Sequence, residues 1–120
     1  MDKVQTLNSF WNSFSLKAYD ENTVPDDAKL PYITYEVRTA SFGNAVAHSA
    51  SIWYRDTGWQ AITQKEMEIS QRIGRGGVIV DYDGGALWIK KSSPWSNRME
   101  DPSDDMIRRI VLNLNIEYID

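Results

Sequence analysis

The sequence predicts an α+β domain: a mostly antiparallel sheet with two helices packed on one face. Three observations predict it. Two segments carry apolar residues at helical spacing. Several others alternate with period two. Those alternations are apolar on one side only, which suits an antiparallel sheet wetted on one face rather than a parallel sheet buried on both. At 120 residues the chain reads as one domain, residues 1–120. A domain of that size buries about two-thirds of the surface its unfolded chain exposes, enough for a core without staples.

The first helix is expected from about Asp2 to Phe14. Val4, Leu7, Trp11 and Phe14, with Phe10 beside them, form one apolar stripe. Asn8, Ser9, Asn12 and Ser13 are poor helix formers, so packing must hold it. The acidic stretch Asp20 to Pro31 contains two prolines and reads as a loop. Tyr32 to Thr39 alternates, with Ile33, Tyr35 and Val37 on one side, and reads as a half-buried strand. Ser41-Phe42-Gly43-Asn44 is turn chemistry. It leads to a second strand, Ala45 to Arg55, whose Val46, His48, Ala50, Ile52 and Tyr54 share a face.

Thr57 and Gln60 match a capping box and start a second helix, Gly58 to Ile73. Its inner stripe is Trp59, Ile62, Ile69 and Ile73, with Glu66 standing where an apolar residue is expected and Gly74 as C-cap. Gly76–Val80 and Ala86–Lys91 flank Asp81-Tyr82-Asp83-Gly84-Gly85 and read as a hairpin. Ser92 to Asp105 reads as a polar loop. Met106 to Ile119 is the strongest alternation in the chain, about 30 Å or more when extended, and belongs in the middle of the sheet.

Composition narrows the chemistry. There is no cysteine and a single histidine, His48. Disulfides, thiolate metal sites, Cys nucleophiles and multi-His zinc sites are therefore excluded. No apolar run approaches the roughly 20 residues of a membrane span, and Met1 to Leu16 lacks the pattern of a signal peptide. The formal net charge is −4, the opposite of an overall basic nucleic-acid footprint. This fits a protein made and used in the cytoplasm, or in a particle assembled there.

Each candidate for chemistry has a simpler structural explanation. His48 shares a strand face with Val46, Ala50 and Ile52 and reads as a packed core residue rather than a general base. Asp81 and Asp83 have the opening spacing of a calcium loop, but Ser92 stands where the bidentate Glu is required, so a turn is the reading. Glu100, Asp101, Asp104 and Asp105 sit beside Pro102 and Ser103, where solvated charge is normal. Gly74-Arg75-Gly76-Gly77 follows a helix, whereas a phosphate cradle must open one. No catalytic, cofactor or metal residue is assigned. Of the five tryptophans, Trp11 and Trp59 fit helix inner stripes. Periodicity leaves open which faces Trp53 and Trp88 take, and Trp95 falls in the polar loop. Trp, Arg and Met mark protein interfaces, so Pro94, Trp95, Arg98 and Met99 form the candidate subunit or partner interface. A tryptophan folded back on its own domain is the alternative.

Several segments resemble small tail-completion proteins of long-tailed bacteriophages, and within them the tail terminator or neck proteins. They are Ala18 to Val37 (AYDENTVPDDAKLPYITYEV), Ser49 to Arg55 (SASIWYR), Ile62 to Gly77 (ITQKEMEISQRIGRGG) and Asp101 to Tyr118 (DPSDDMIRRIVLNLNIEY). The resemblance covers nearly the whole chain and carries no catalytic motif. It implies a curved mixed sheet packed by helices and a homo-oligomeric, hexameric ring that caps the tail tube. It further implies partners in the tail tube protein and the head connector, and a location in the virion neck after assembly in the host cytoplasm. DNA would pass through such a ring without being read, and an acidic chain repels phosphate. A repeated heterologous contact needs two different patches per subunit. Pro94 to Met99 is expected to form one, so that Trp95→Ala weakens ring formation. A head-closure or adaptor role and a small ligand-binding module are the alternatives.

Overall fold

A computed structural model describes residues 1–39 and 44–120. Most of the expected turn at Ser41-Phe42-Gly43-Asn44 lies outside the described residues. The chain builds α1 (Lys3–Trp11), a 3-10 turn (Asn12–Phe14), β1 (Lys17–Asp20), β2 (Tyr32–Tyr35) and β3 (Ala45–Arg55). It continues with α2 (Gln60–Ile73), β4 (Val78–Tyr82), β5 (Gly85–Glu100) and β6 (Ile107–Ile119). The strands form one sheet in the order β1-β2-β3-β6-β5-β4. Among the described residues, only the β1–β2 pair is parallel. The sheet is strongly curled into a half-barrel with the helices against it, the α+β architecture the periodicity predicts.

β6 is central, as expected, pairing with β3 along one side and β5 along the other. Its Ile110, Leu112, Leu114, Ile116 and Tyr118 are buried in strict alternation. They meet Ile52 and Ala50 of β3, Leu87 and Ile89 of β5, and the helix residues Leu7, Trp11, Phe14, Ile62, Ile69 and Ile73 in one core. α2 lies over β3, β5 and β6, while α1 touches β1 and β4, the two edge strands of the curl. A half-barrel exposes a wide concave face, and α1 fills its mouth.

Local chemistry moves several boundaries. The first helix divides: α1 ends at Trp11, and a 3-10 turn carries the chain to Ser15, whose φ of 62° stops it. Asp2 and Gln5 form a capping box at its start. Val4 is not core; it is 43% exposed because the packed stripe begins one turn later, at Leu7. β1 was not expected. Asp20 belongs to it rather than to the acidic loop, and β2 ends at Tyr35 rather than Thr39. The Thr57–Gln60 capping box does not form. Asp56 accepts the amides of Thr57 and Gly58 instead, and Trp59 takes the N-cap position with no side-chain bond. Gly74 does end α2, at φ 75°.

The largest correction is at Ser92 to Asp105. β5 continues through this segment to Glu100, so only its end is a loop. Strand register holds at Lys91↔Leu114 and resumes at Ser96↔Leu112, leaving four residues opposite Asn113 alone. The bulge absorbs Pro94, which cannot donate to a ladder. The hairpin turn is two residues, Asp83-Gly84, with Gly84 at φ 91°. Gly85 follows because a Cβ there would strike the Ile119 carbonyl.

Candidate interaction surface

The four residues singled out at Pro94 to Met99 fall on both sides of the sheet. Trp95 is half-buried and turns back onto its own domain. Its indole N–H donates to Glu66 Oε1 on α2 at 2.5 Å, and the Ser96 hydroxyl donates to the same oxygen at 3.3 Å. That explains Glu66, the polar residue on an otherwise apolar helix stripe: it anchors the β5 bulge. Pro94 is exposed on the bulge, and its carbonyl accepts from Asn113 Nδ2 at 3.2 Å. Arg98, opposite buried Ile110, lays its guanidinium 4.7 Å from the Trp59 ring, with Arg108 5.3 Å from the same ring. Met99 points to the convex side opposite Arg109 and is 42% exposed.

Met99 ends a cross-strand row that the sequence did not reveal. Tyr32, Trp53, Arg109 and Met99 are direct partners on β2, β3, β6 and β5. Tyr19 meets Tyr32 edge-on at 5.7 Å, and Arg109 lies 4.5 Å from the Trp53 ring. Trp53 Nε1 donates to Thr34 Oγ1, and Arg109 Nε to Ser51 Oγ. The row is therefore largely satisfied by itself. Register alone carried this signal, and register appears only when strand pairs are known.

The two edges of the sheet differ. On β1, the Asn12 side chain accepts from the Ala18 N–H at 3.0 Å and donates to the Ala18 carbonyl at 3.3 Å. One amide thus imitates a neighbouring strand and seals that edge. On β4, the two-residue turn makes Tyr82 and Gly85 a bonded pair, so Val80 and Val78 also bond toward β5. Ile79 and Asp81 then aim their N–H and C=O groups away from the sheet. The next group in that series, the Asp83 N–H, donates to the Met1 carbonyl at 2.8 Å, and the Met1 ammonium pairs with the Asp83 carboxylate. Ile79 is 61% exposed. A groove of about 340 Å³ runs between this strand and α1.

His48 is 2% exposed and borders none of the described cavities. Its Nε2 accepts from Trp11 Nε1 at 3.1 Å, and the two rings stack at 5.9 Å. Burial, with a smaller contribution from the Arg38 charge, lowers its pKa to about 4. Of the acidic loop, Asp101 is held below the usual carboxylate range chiefly by the Ser103 hydroxyl, and Asp104 by the Met106 amide and then Arg55. These are turn and ion-pair contacts. Among the described residues, no three His, Asp or Glu side chains gather as a metal site, and no helix is long and apolar enough to cross a membrane.

Comparison of the chain with protein-family models, curated proteins and solved structures finds no match.

Proposed function

We propose that this chain is a structural protein of a phage or prophage tail, a terminator that assembles as a ring on the tail tube, ends its growth and offers the joining surface to the head. The observation that carries the reading is the strongly curled sheet with both helices packed into one core with it. It is the architecture implied by the four resembling segments, on a chain with no basic footprint. Burial of His48 away from the described cavities supports a non-catalytic role, because a general base must reach its substrate. An open edge on β4 and a sealed one on β1 give the two unlike flanks that a head-to-tail ring uses.

The test is light scattering after size exclusion across protein concentration, with and without magnesium, followed by mixing with candidate tube protein. The expected result is a mass near six subunits, alone or on the tube tip, and tubes capped at a set length. Binding to a head connector without capping tubes would reassign the chain to head closure. Failure to bind either component would refute the proposal.

A further inference from the structure

We propose that the β4 edge is the acceptor half of the contact between copies and that its occupant is the acidic loop, residues 21–27, of the next copy; this rests on the ring reading above. The acceptor side offers unmet polar groups. The N–H groups of Ile79 and Asp81 point out of the sheet beside the groove. Thr6, 2% exposed, borders that groove, and its hydroxyl finds no partner among the described residues. Arg72 lines the same groove, and Arg75 stands exposed three residues before the strand. Neither arginine forms an ion pair among the described residues, although Arg72 stacks 5.3 Å from the Phe14 ring.

The donor side has the opposite character. Glu21, Asp26 and Asp27 are exposed, and none of them is ion-paired among the described residues. The loop connects β1 to β2, so it sits at the flank of the sheet farthest in strand order from β4. Carboxylates are acceptors only, and they suit both arginines and outward-pointing amides. The Asn12 seal on β1 prevents a simple edge-to-edge union of β1 with β4 and leaves the loop as that flank's reactive part. One patch on each flank makes the contact heterologous, and repeating it by rotation generates a ring.

The experiment is sedimentation velocity from about 5 to 500 µM, a range suited to an interface smaller than the standard size, at low and at high salt. The wild-type chain is expected to self-associate, and added salt to weaken the association. Arg75→Glu, which alters an exposed turn, and the pair Asp26→Lys with Asp27→Lys each replace an attraction by a repulsion and are each expected to weaken it by roughly 2- to 30-fold. Mixing Arg75→Glu with the loop variant sets the native loop against the native groove at one contact and the reversed loop against the reversed groove at the next, and is expected to restore assembly that neither variant shows alone. Combining the charge reversals in one chain is expected to restore assembly. Wild-type assembly indifferent to all three changes would overturn the proposed contact and leave the ring standing. A wild-type chain monomeric throughout the range would also overturn it, and the ring reading would then be judged separately by tube capping. Dimers of either variant alone that saturate and grow no further with concentration would show a two-fold contact and overturn the head-to-tail arrangement.

Discussion

His48 couples the stability of this domain to pH. In the folded chain its ring accepts a bond from Trp11, lies buried against the Trp11 ring, and has a pKa lowered to about 4 from 6.5. Protonating Nε2 would turn an acceptor into a donor facing another donor. The unfolded chain binds this proton more readily, so it gains stability as pH falls through 6.5, and the folded state begins to follow only near 4. Folding free energy contributed by His48 is therefore present in full above 6.5 and declines as the solution is acidified between those limits. At about 1.4 kcal/mol per unit, the total is on the order of 3 kcal/mol, of which about 2 to 3 kcal/mol is lost between pH 7.5 and 4.5. Urea unfolding of the wild type and of His48→Gln across that range measures it. The glutamine can still accept from Trp11 but does not titrate, and the carboxylates cancel in the difference. The wild type is expected to lose that much more than the variant. Equal losses would refute the reasoning, and so would a folded-state imidazole seen by NMR to titrate near 6.5.

Leu112→Ala, at the fully buried centre of β6, is expected to cost about 2 to 5 kcal/mol in urea unfolding. Trp95→Phe keeps the ring but deletes the donor to Glu66. It is expected to cost about 1 kcal/mol by the same assay, with Glu66→Ala adding little further loss in the double variant. Asn12→Ala removes both bonds to Ala18. It is expected to cost about 1 to 2 kcal/mol and, by unsealing β1, to raise self-association measured by sedimentation.

The sequence showed those parts of the fold that a single element dictates. The alternation from Ile107 to Ile119 was visible because one face of β6 is core along its whole length, and the stripe Ile62, Ile69 and Ile73 was visible for the same reason. β1 escaped because four residues, only one of them buried, carry no readable period. The strand character of Ser96–Glu100 escaped because Pro94 and a polar stretch mimic a loop, while the pairing partner that makes them a strand, Arg108–Leu112, lies farther along the chain. Glu66 is a polar exception in an apolar stripe, and its reason, the Trp95 N–H, lies 29 residues away in the chain, beyond the reach of periodicity. Of the candidate interface, residue type was legible and direction was not. Trp95, Arg98 and Met99 lie within five consecutive residues, yet a bulge and the strand's alternation send them to different sides. The open and sealed edges were invisible, since both depend on which backbone groups remain after all pairing is complete.

The position of β6 also sets the order in which the molecule can be made. Without it the sheet is two fragments, β1-β2-β3 and β5-β4, joined by nothing but the chain and the helices. Of the six strands, the one that unites them is made last, so the apolar faces of β3 and β5 must wait, unpaired on their long sides, while synthesis proceeds at about 5 to 20 residues per second. The pairings that end the wait are distant in sequence, which places folding among the slower topologies. Premature release of the nascent chain before β6 would yield no smaller version of the domain. It would yield two adhesive half-sheets, a natural substrate for chaperones and proteases.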